Sequence, residues 1–101
     1  MIVETPIPPY YAVIFTSILN KDAVGYEEEV ALVMNLAQQQ EGFLGMESAR
    51  GSVGITVSYW TNLEAIKKWS EHARHKVAKE KGVANFYSVY KTRISKVEKE
   101  Y

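Results

Sequence analysis

Three segments of this chain read as strands that carry apolar residues on both sides. Along Tyr10–Leu19 (YYAVIFTSIL), β-branched and aromatic residues dominate. In extended form Tyr11, Val13 and Phe15 point opposite to Ala12, Ile14 and Ile18. In GITVSYW (Gly54–Trp60), Ile55, Val57 and Tyr59 oppose Thr56, Ser58 and Trp60. In FYSVYKTRISKVEK (Phe86–Lys99), Tyr87 and Val89 oppose Phe86, Tyr90 and Ile94. A sheet with one wet face alternates apolar with polar residues. A sheet built from these strands is substantially apolar front and back, so it needs cover on both sides.

Between the strands the hydrophobic period becomes helical. From Ala23 to Gln40, the residues Tyr26, Val30, Val33, Met34 and Ala37 fall on one stripe. Asp22 is the predicted N-cap, Gly25 a weak place in the first turn, and Gly42 the stop. Glu27, Glu28 and Glu29 sit near the helix start, where its dipole favours acids. FLGMESAR (Phe43–Arg50) is the second strand, joined to the third by the short turn GSVG as a β-hairpin. Asn62 is the predicted cap of a second helix, Leu63–Lys81, whose stripe is Ile66, Trp69, Ala73 and Val77 and whose stop is Gly82. The order β-α-β-β-α-β predicts a ferredoxin-like α+β fold, a four-stranded antiparallel sheet with both helices on one face. Two helices cover one face. The other is an apolar patch too large for a soluble monomer. A second copy is the simplest cover, giving a homodimer with sheets face to face, a dimeric α+β barrel.

The chain has 101 residues, enough for one domain. All three prolines, Pro6, Pro8 and Pro9, lie in the opening segment, so residues 1–9 are expected as an extended arm before a domain at 10–101. Ile2, Val3 and Ile7 allow the arm either to fray or to cross a partner subunit. Twelve basic and twelve acidic residues cancel, which gives no electrostatic reason to expect nucleic acid or an anionic membrane as partner. Cysteine is absent, excluding disulfides and thiolate chemistry. With no signal-like start and no apolar run of membrane-spanning length, the expected location is the cytoplasm.

Candidate chemistry is sparse. His72 and His75 share one flank of the second helix, but no third metal ligand stands at a recognisable spacing, so no zinc site is expected. Trp69, on the inward stripe, is either core or the wall of an aromatic pocket; Trp60 either lines the same mouth or packs at the dimer edge. Seven tyrosines, three phenylalanines and two tryptophans suit a flat apolar ligand and suit a dimer core equally. Glu47 and Arg50 have opposite parity and cannot share a face without a bulge. Glu47 is expected either to meet solvent or to pair with a cation such as Arg93. No phosphate-binding glycine loop, nucleophile elbow or HExxH is present, so no bound flavin, nicotinamide or ATP is expected.

From about Tyr11 to Glu98 the chain resembles the antibiotic biosynthesis monooxygenase family. The residues that carry the likeness are YYAVIFTS (10–17), Gly25 with Tyr26, GFLGMESAR (42–50), GITVSYW (54–60), EAIKKW (64–69), His75, and the closing Tyr87, Tyr90 and Arg93 with Val97 and Glu98. The resemblance implies a dimeric α+β barrel. It implies oxidation of an electron-rich aromatic phenol or quinol by O₂ with neither metal nor flavin. It casts Trp69 as pocket wall, His75 as proton acceptor, and Tyr87 or Arg93 as anion stabiliser. Phe15, Trp60 and His72 join them as expected substrate contacts. Haem-degrading relatives in the same superfamily carry an asparagine in strand one, a tryptophan in helix two and a histidine ligand further along. Here Trp69 matches, Phe15 stands at the strand-one position, and the ligand position falls at or beside Lys79, so haem is the alternative cofactor only if His75 serves from a shifted register. A third expectation is a non-enzymatic dimeric module that binds a small ligand.

Overall fold

The computed structural model describes residues 2–79 and 86–101, the side chains of 74–79 excepted. The elements run β1 (Tyr10–Leu19), α1 (Tyr26–Gln38), β2 (Phe43–Arg50), β3 (Gly54–Trp60), α2 (Leu63–Lys79) and β4 (Tyr87–Val97). The four strands form one antiparallel sheet in the order β2-β3-β1-β4. This is the ferredoxin-like arrangement that the element order predicts.

Directly opposed residues in an antiparallel pair share a face. Tyr11 opposes Trp60, and Trp60 opposes Phe43. Trp60 is completely buried (0% exposed) with Ala65 and Ile66 of α2, and Tyr11, Val13, Phe43 and Trp69 pack around it. This is therefore the helix-covered face. The indole N–H of Trp60 donates to Ser58 Oγ at 2.9 Å, so the burial leaves no orphan donor. α2 starts where Asn62 Oδ1 accepts the Ala65 backbone N–H at 2.8 Å, an N-cap as expected from the sequence.

α1 begins three residues later than the periodicity suggests. Gly25, at φ 81°, occupies the N-cap position and makes no side-chain cap bond, and Asp22 lies back in the preceding turn. A left-handed residue cannot belong to a right-handed helix, so the apolar run before it cannot join α1.

Two bulges change which way side chains point. On β2, Phe43 opposes Trp60 while Gly45 opposes Tyr59, which leaves Leu44 as the extra residue and brings Phe43 onto the helix side. On β4, Val89 opposes Ile18 and Tyr87 opposes Leu19, which leaves Ser88 as the extra residue. Simple alternation sets Tyr87 against Tyr90; the bulge instead puts both on the helix side, each against Phe15.

On the other face, the end near Tyr10 is occupied by the chain's own N-terminal arm. The Val3 N–H donates to Glu47 Oε2 at 2.9 Å, and a Cβ on Gly45 would collide with the Val3 side chain. Thr5 Oγ1 lies 2.9 Å from Tyr10 Oη and 3.1 Å from Glu100 Oε1. Tyr10 and Ala12 are buried there. Beyond the arm the face stays open and apolar: Ile18 is 40% exposed, Ile55 47% and Val89 59%.

Candidate functional site

Two aromatic groups occupy the helix side of the sheet, one at each end. At the end where α2 begins, Phe43 stands edge-on to Trp60 (centroids 5.3 Å), Trp60 stacks on Trp69 (6.1 Å, 23° between planes), and Trp69 meets His72 (6.0 Å). The ladder arises because α2 presents Trp69 and His72, three residues apart, on one flank above the end of β3. Trp60 is its sealed floor. The Trp60 ring is fully buried in the single chain, beneath the half-buried Trp69 ring.

At the opposite end, Tyr87 packs edge-on against Phe15 (5.2 Å) and Tyr26 (5.8 Å) and also meets Tyr90 (6.0 Å). Phe86 adds a T-shaped contact to Tyr26 at 5.7 Å. Arg50 Cζ lies 5.6 Å from the centre of the Tyr26 ring, and its guanidinium donates to the buried Ser17 through Nη2 to Oγ and Nη1 to the carbonyl oxygen. The Tyr87 hydroxyl has its pKa raised, first by burial and then by the neighbouring Tyr26 phenol; the Arg50 charge acts the other way. Tyr87 is therefore a neutral hydrogen-bond donor across the physiological range.

Between the two groups runs a strip from β1 and β4. Val13 and Phe15 are half-buried, while Ile94, opposite Val13, is 55% exposed and Tyr90 is 62% exposed. These residues face the helix side, yet the described part of the chain leaves them largely uncovered. A hollow of about 100 Å³ lies apart from this strip, at the start of α2, lined by Gly42, Thr61, Asn62 and Lys68 among others.

Phe15 and Tyr87 therefore come together at one end, and Trp69 with His72 at the other. The His75 side chain lies outside the described residues, as do the Val77 side chain and Gly82. Arg93 opposes Ile14, so it leaves the sheet on the open face, away from Phe15 and Trp69. It does not pair with Glu47 either: β2 and β4 are opposite edges of the sheet, about 14 Å apart at three strand spacings. Glu47 instead accepts hydrogen bonds from Tyr59 Oη (2.6 Å) and the Val3 amide. Sequence reading passed over Arg50 and Tyr26 as site residues. The available signal was Gly54, opposite Arg50, because a residue without a side chain leaves room for a long one to cross.

Among the described residues, no group of three or more His, Asp and Glu is disposed to hold a metal ion, and no helix is long and apolar enough to cross a membrane. Among the described residues, Glu29 Oε1 on α1 is buried without a hydrogen-bond partner.

Known proteins resemble this chain in sequence and in fold. The Bacillus subtilis (strain 168) protein YqjZ is 46% identical over 99 residues, covering 96% of this chain and 87% of the relative. Among solved structures, SnoaB of Streptomyces nogalater, a cofactor-independent oxygenase, matches at a TM-score of 0.72 and 11% identity, over 90% of this chain and 95% of that one. PA3566 of Pseudomonas aeruginosa matches at a TM-score of 0.70 and 13% identity, over 96% and 100%. At such identities a structural likeness speaks for the fold alone. The sequence model of one family, antibiotic biosynthesis monooxygenase, matches residues 9–81, which run from the start of β1 past the Trp60–Trp69 ladder. Matched over residues 9–81 of its 101, the chain belongs to the antibiotic biosynthesis monooxygenase family.

Proposed function

We propose that this chain is the subunit of a homodimeric monooxygenase that oxidises a flat, electron-rich phenol or quinol with O₂ and without a bound cofactor. The observation that carries the reading is the uncovered apolar strip on the helix side of β1 and β4. Ile94 and Tyr90 are each more than half exposed on the side of the sheet that holds the core. A planar ring lying on that strip has Val13 and Phe15 beneath it, Trp69 and His72 toward one end, and Tyr87 toward the other. Family membership and the oxygenase activity of SnoaB support the same reaction class.

The chemistry asks little of the protein. Triplet O₂ reacts slowly with closed-shell molecules, but a phenolate supplies the first electron itself. One oxygen atom then enters the ring carbon, and the other leaves as water with the two hydrogens that the substrate loses on becoming a quinone. The site must bind the ring, exclude water and hold the anion. Trp69 is the wall in this reading, His75 or His72 takes the phenolic proton, and the neutral Tyr87 hydroxyl donates to the resulting oxygen. The open apolar face around Ile55 and Val89 is covered by the second subunit. Haem is the weaker reading, because Phe15 offers no polar atom where haem-degrading relatives carry an asparagine.

Oxygen uptake with anthrone-type and quinol substrates tests the proposal. The wild type consumes O₂ in proportion to quinone formed, and Trp69→Phe and His75→Ala slow it. Absence of uptake by the wild type, with an apolar molecule co-purifying, makes the chain a non-enzymatic binding module instead.

A further inference from the structure

One transverse row of the sheet is unlike the others. Arg50 of β2, Gly54 of β3, Ser17 of β1 and Tyr90 of β4 are consecutive partners on the helix side. Gly54 has no side chain, and a Cβ there would collide with the Arg50 guanidinium. The guanidinium therefore lies flat over β3 and reaches Ser17, one strand further on. A long cation is held in place in this way by a small buried hydroxyl, a glycine and the face of Tyr26.

Among the described residues the partners of this cation are neutral. Ser17 takes one N–H from each of the two terminal nitrogens. Guanidinium has five donors in a fixed fork, so three remain after Ser17 is served. Arg50 is also exposed, so those donors are reachable from outside. Beside it stand two phenols, Tyr26 and Tyr87, whose rings meet at 5.8 Å. Glu27 and Glu28, the nearest acids along α1 from Tyr26, are exposed and belong to the outer side of the helix. Glu29 is half-buried, and its Oε1 has no hydrogen-bond partner, so that oxygen takes none from the guanidinium. A fixed fork with spare donors, next to two hydroxyls at the end of an apolar strip, matches a planar carboxylate or phenolate better than it matches water.

We infer that Arg50, with the hydroxyls of Tyr26 and Tyr87, is the recognition end of the site and selects aromatic ligands that carry an anionic oxygen at one edge. The inference rests on the ring-binding strip proposed above and adds the class of substrate to it. Arg50 fixes which edge of the ring points toward Tyr87 and so which carbon faces O₂. It is a specificity residue, distinct from the proton acceptor on α2.

Quenching of tryptophan fluorescence by two probes of the same shape tests this, 2-naphthoate and the neutral 2-naphthalenemethanol. The wild type is expected to bind the naphthoate at least about tenfold more tightly. Arg50→Gln removes that preference and leaves the affinity for the alcohol unchanged. A preference that survives Arg50→Gln overturns the inference while leaving the strip in place. If Arg50→Gln does not fold by circular dichroism, the double variant Tyr26→Phe/Tyr87→Phe decides, since it keeps both rings and removes only the donors. Its preference falls at least about threefold, and an unchanged preference overturns the inference. Failure of both probes to bind the wild type removes the strip and the recognition end together.

Discussion

Tyr59 donates its phenolic hydrogen to Glu47 Oε1 across 2.6 Å, from one strand to the next, on the face that the helices leave open. The bond ties two titrations together. It lowers the Glu47 pKa, helped by the Val3 amide, and raises that of Tyr59 to about 12, helped by burial. For Glu47 the stabilisation is complete above the ordinary carboxylate range and is lost as pH falls through its lowered pKa. For Tyr59 it is complete below the ordinary tyrosine pKa near 10 and is lost as pH rises toward 12. Ultraviolet titration of phenolate is expected to show a late tyrosine class, and Glu47→Gln to move one member of it back toward 10. A titration curve identical in the two proteins contradicts the coupling.

Two glycines with positive φ should respond differently to alanine. At Gly25 (φ 81°) an added Cβ meets nothing within 4 Å, so only the left-handed backbone penalises it, by about 1 kcal/mol. At Gly42 (φ 88°) the same Cβ would lie 2.6 Å from Ala65 Cβ and 2.8 Å from Thr61 Oγ1. Gly42→Ala therefore carries the same backbone cost plus a steric one, of about 1–3 kcal/mol. Urea denaturation of the pair measures the difference, and equal losses would mean that α2 gives way freely at Ala65.

Glu29 offers a stability gain. A buried acceptor without a donor costs about 1–3 kcal/mol relative to a partnered one. Glu29→Met, similar in length and apolar, is expected to raise the midpoint of thermal unfolding. A lowered midpoint would show that the carboxylate is satisfied in solution.

The proposed dimer can be broken without touching the core. Ile55 projects from the open face and is half exposed in the single chain, so Ile55→Lys has little effect on folding of the subunit. Light scattering after gel filtration is expected to give a dimer for the wild type and a monomer, or a concentration-dependent mixture, for Ile55→Lys. A wild type that runs as a monomer removes the second subunit from the reading.

Most of the architecture follows from short-range pattern. Runs rich in β-branched and aromatic residues mark β1, β3 and β4, and the GSVG turn marks β2 as the hairpin partner of β3. Period-3.6 runs mark α1 and α2, and Asn62 caps α2 as its side-chain chemistry requires. The apolar residues on both sides of β1 and β3 are also plain in the sequence, because alternation within one strand is a local property. The site is less legible. Trp69 and His72 share a flank by helical spacing alone, but the depth of Trp60 beneath them depends on which strand lies next to β3.

What the sequence determined by itself is each segment's type and the order of the segments, since these depend on residues within a few positions of one another. Tertiary structure decided the rest. The extra residues Leu44 and Ser88 turn Phe43 and Tyr87 to the helix side, Gly54 lets Arg50 reach Ser17, and the arm settles over Gly45. A bulge or a cross-strand contact belongs to a pair of strands, and its position is set by which residues find partners. No count along a single strand contains that information.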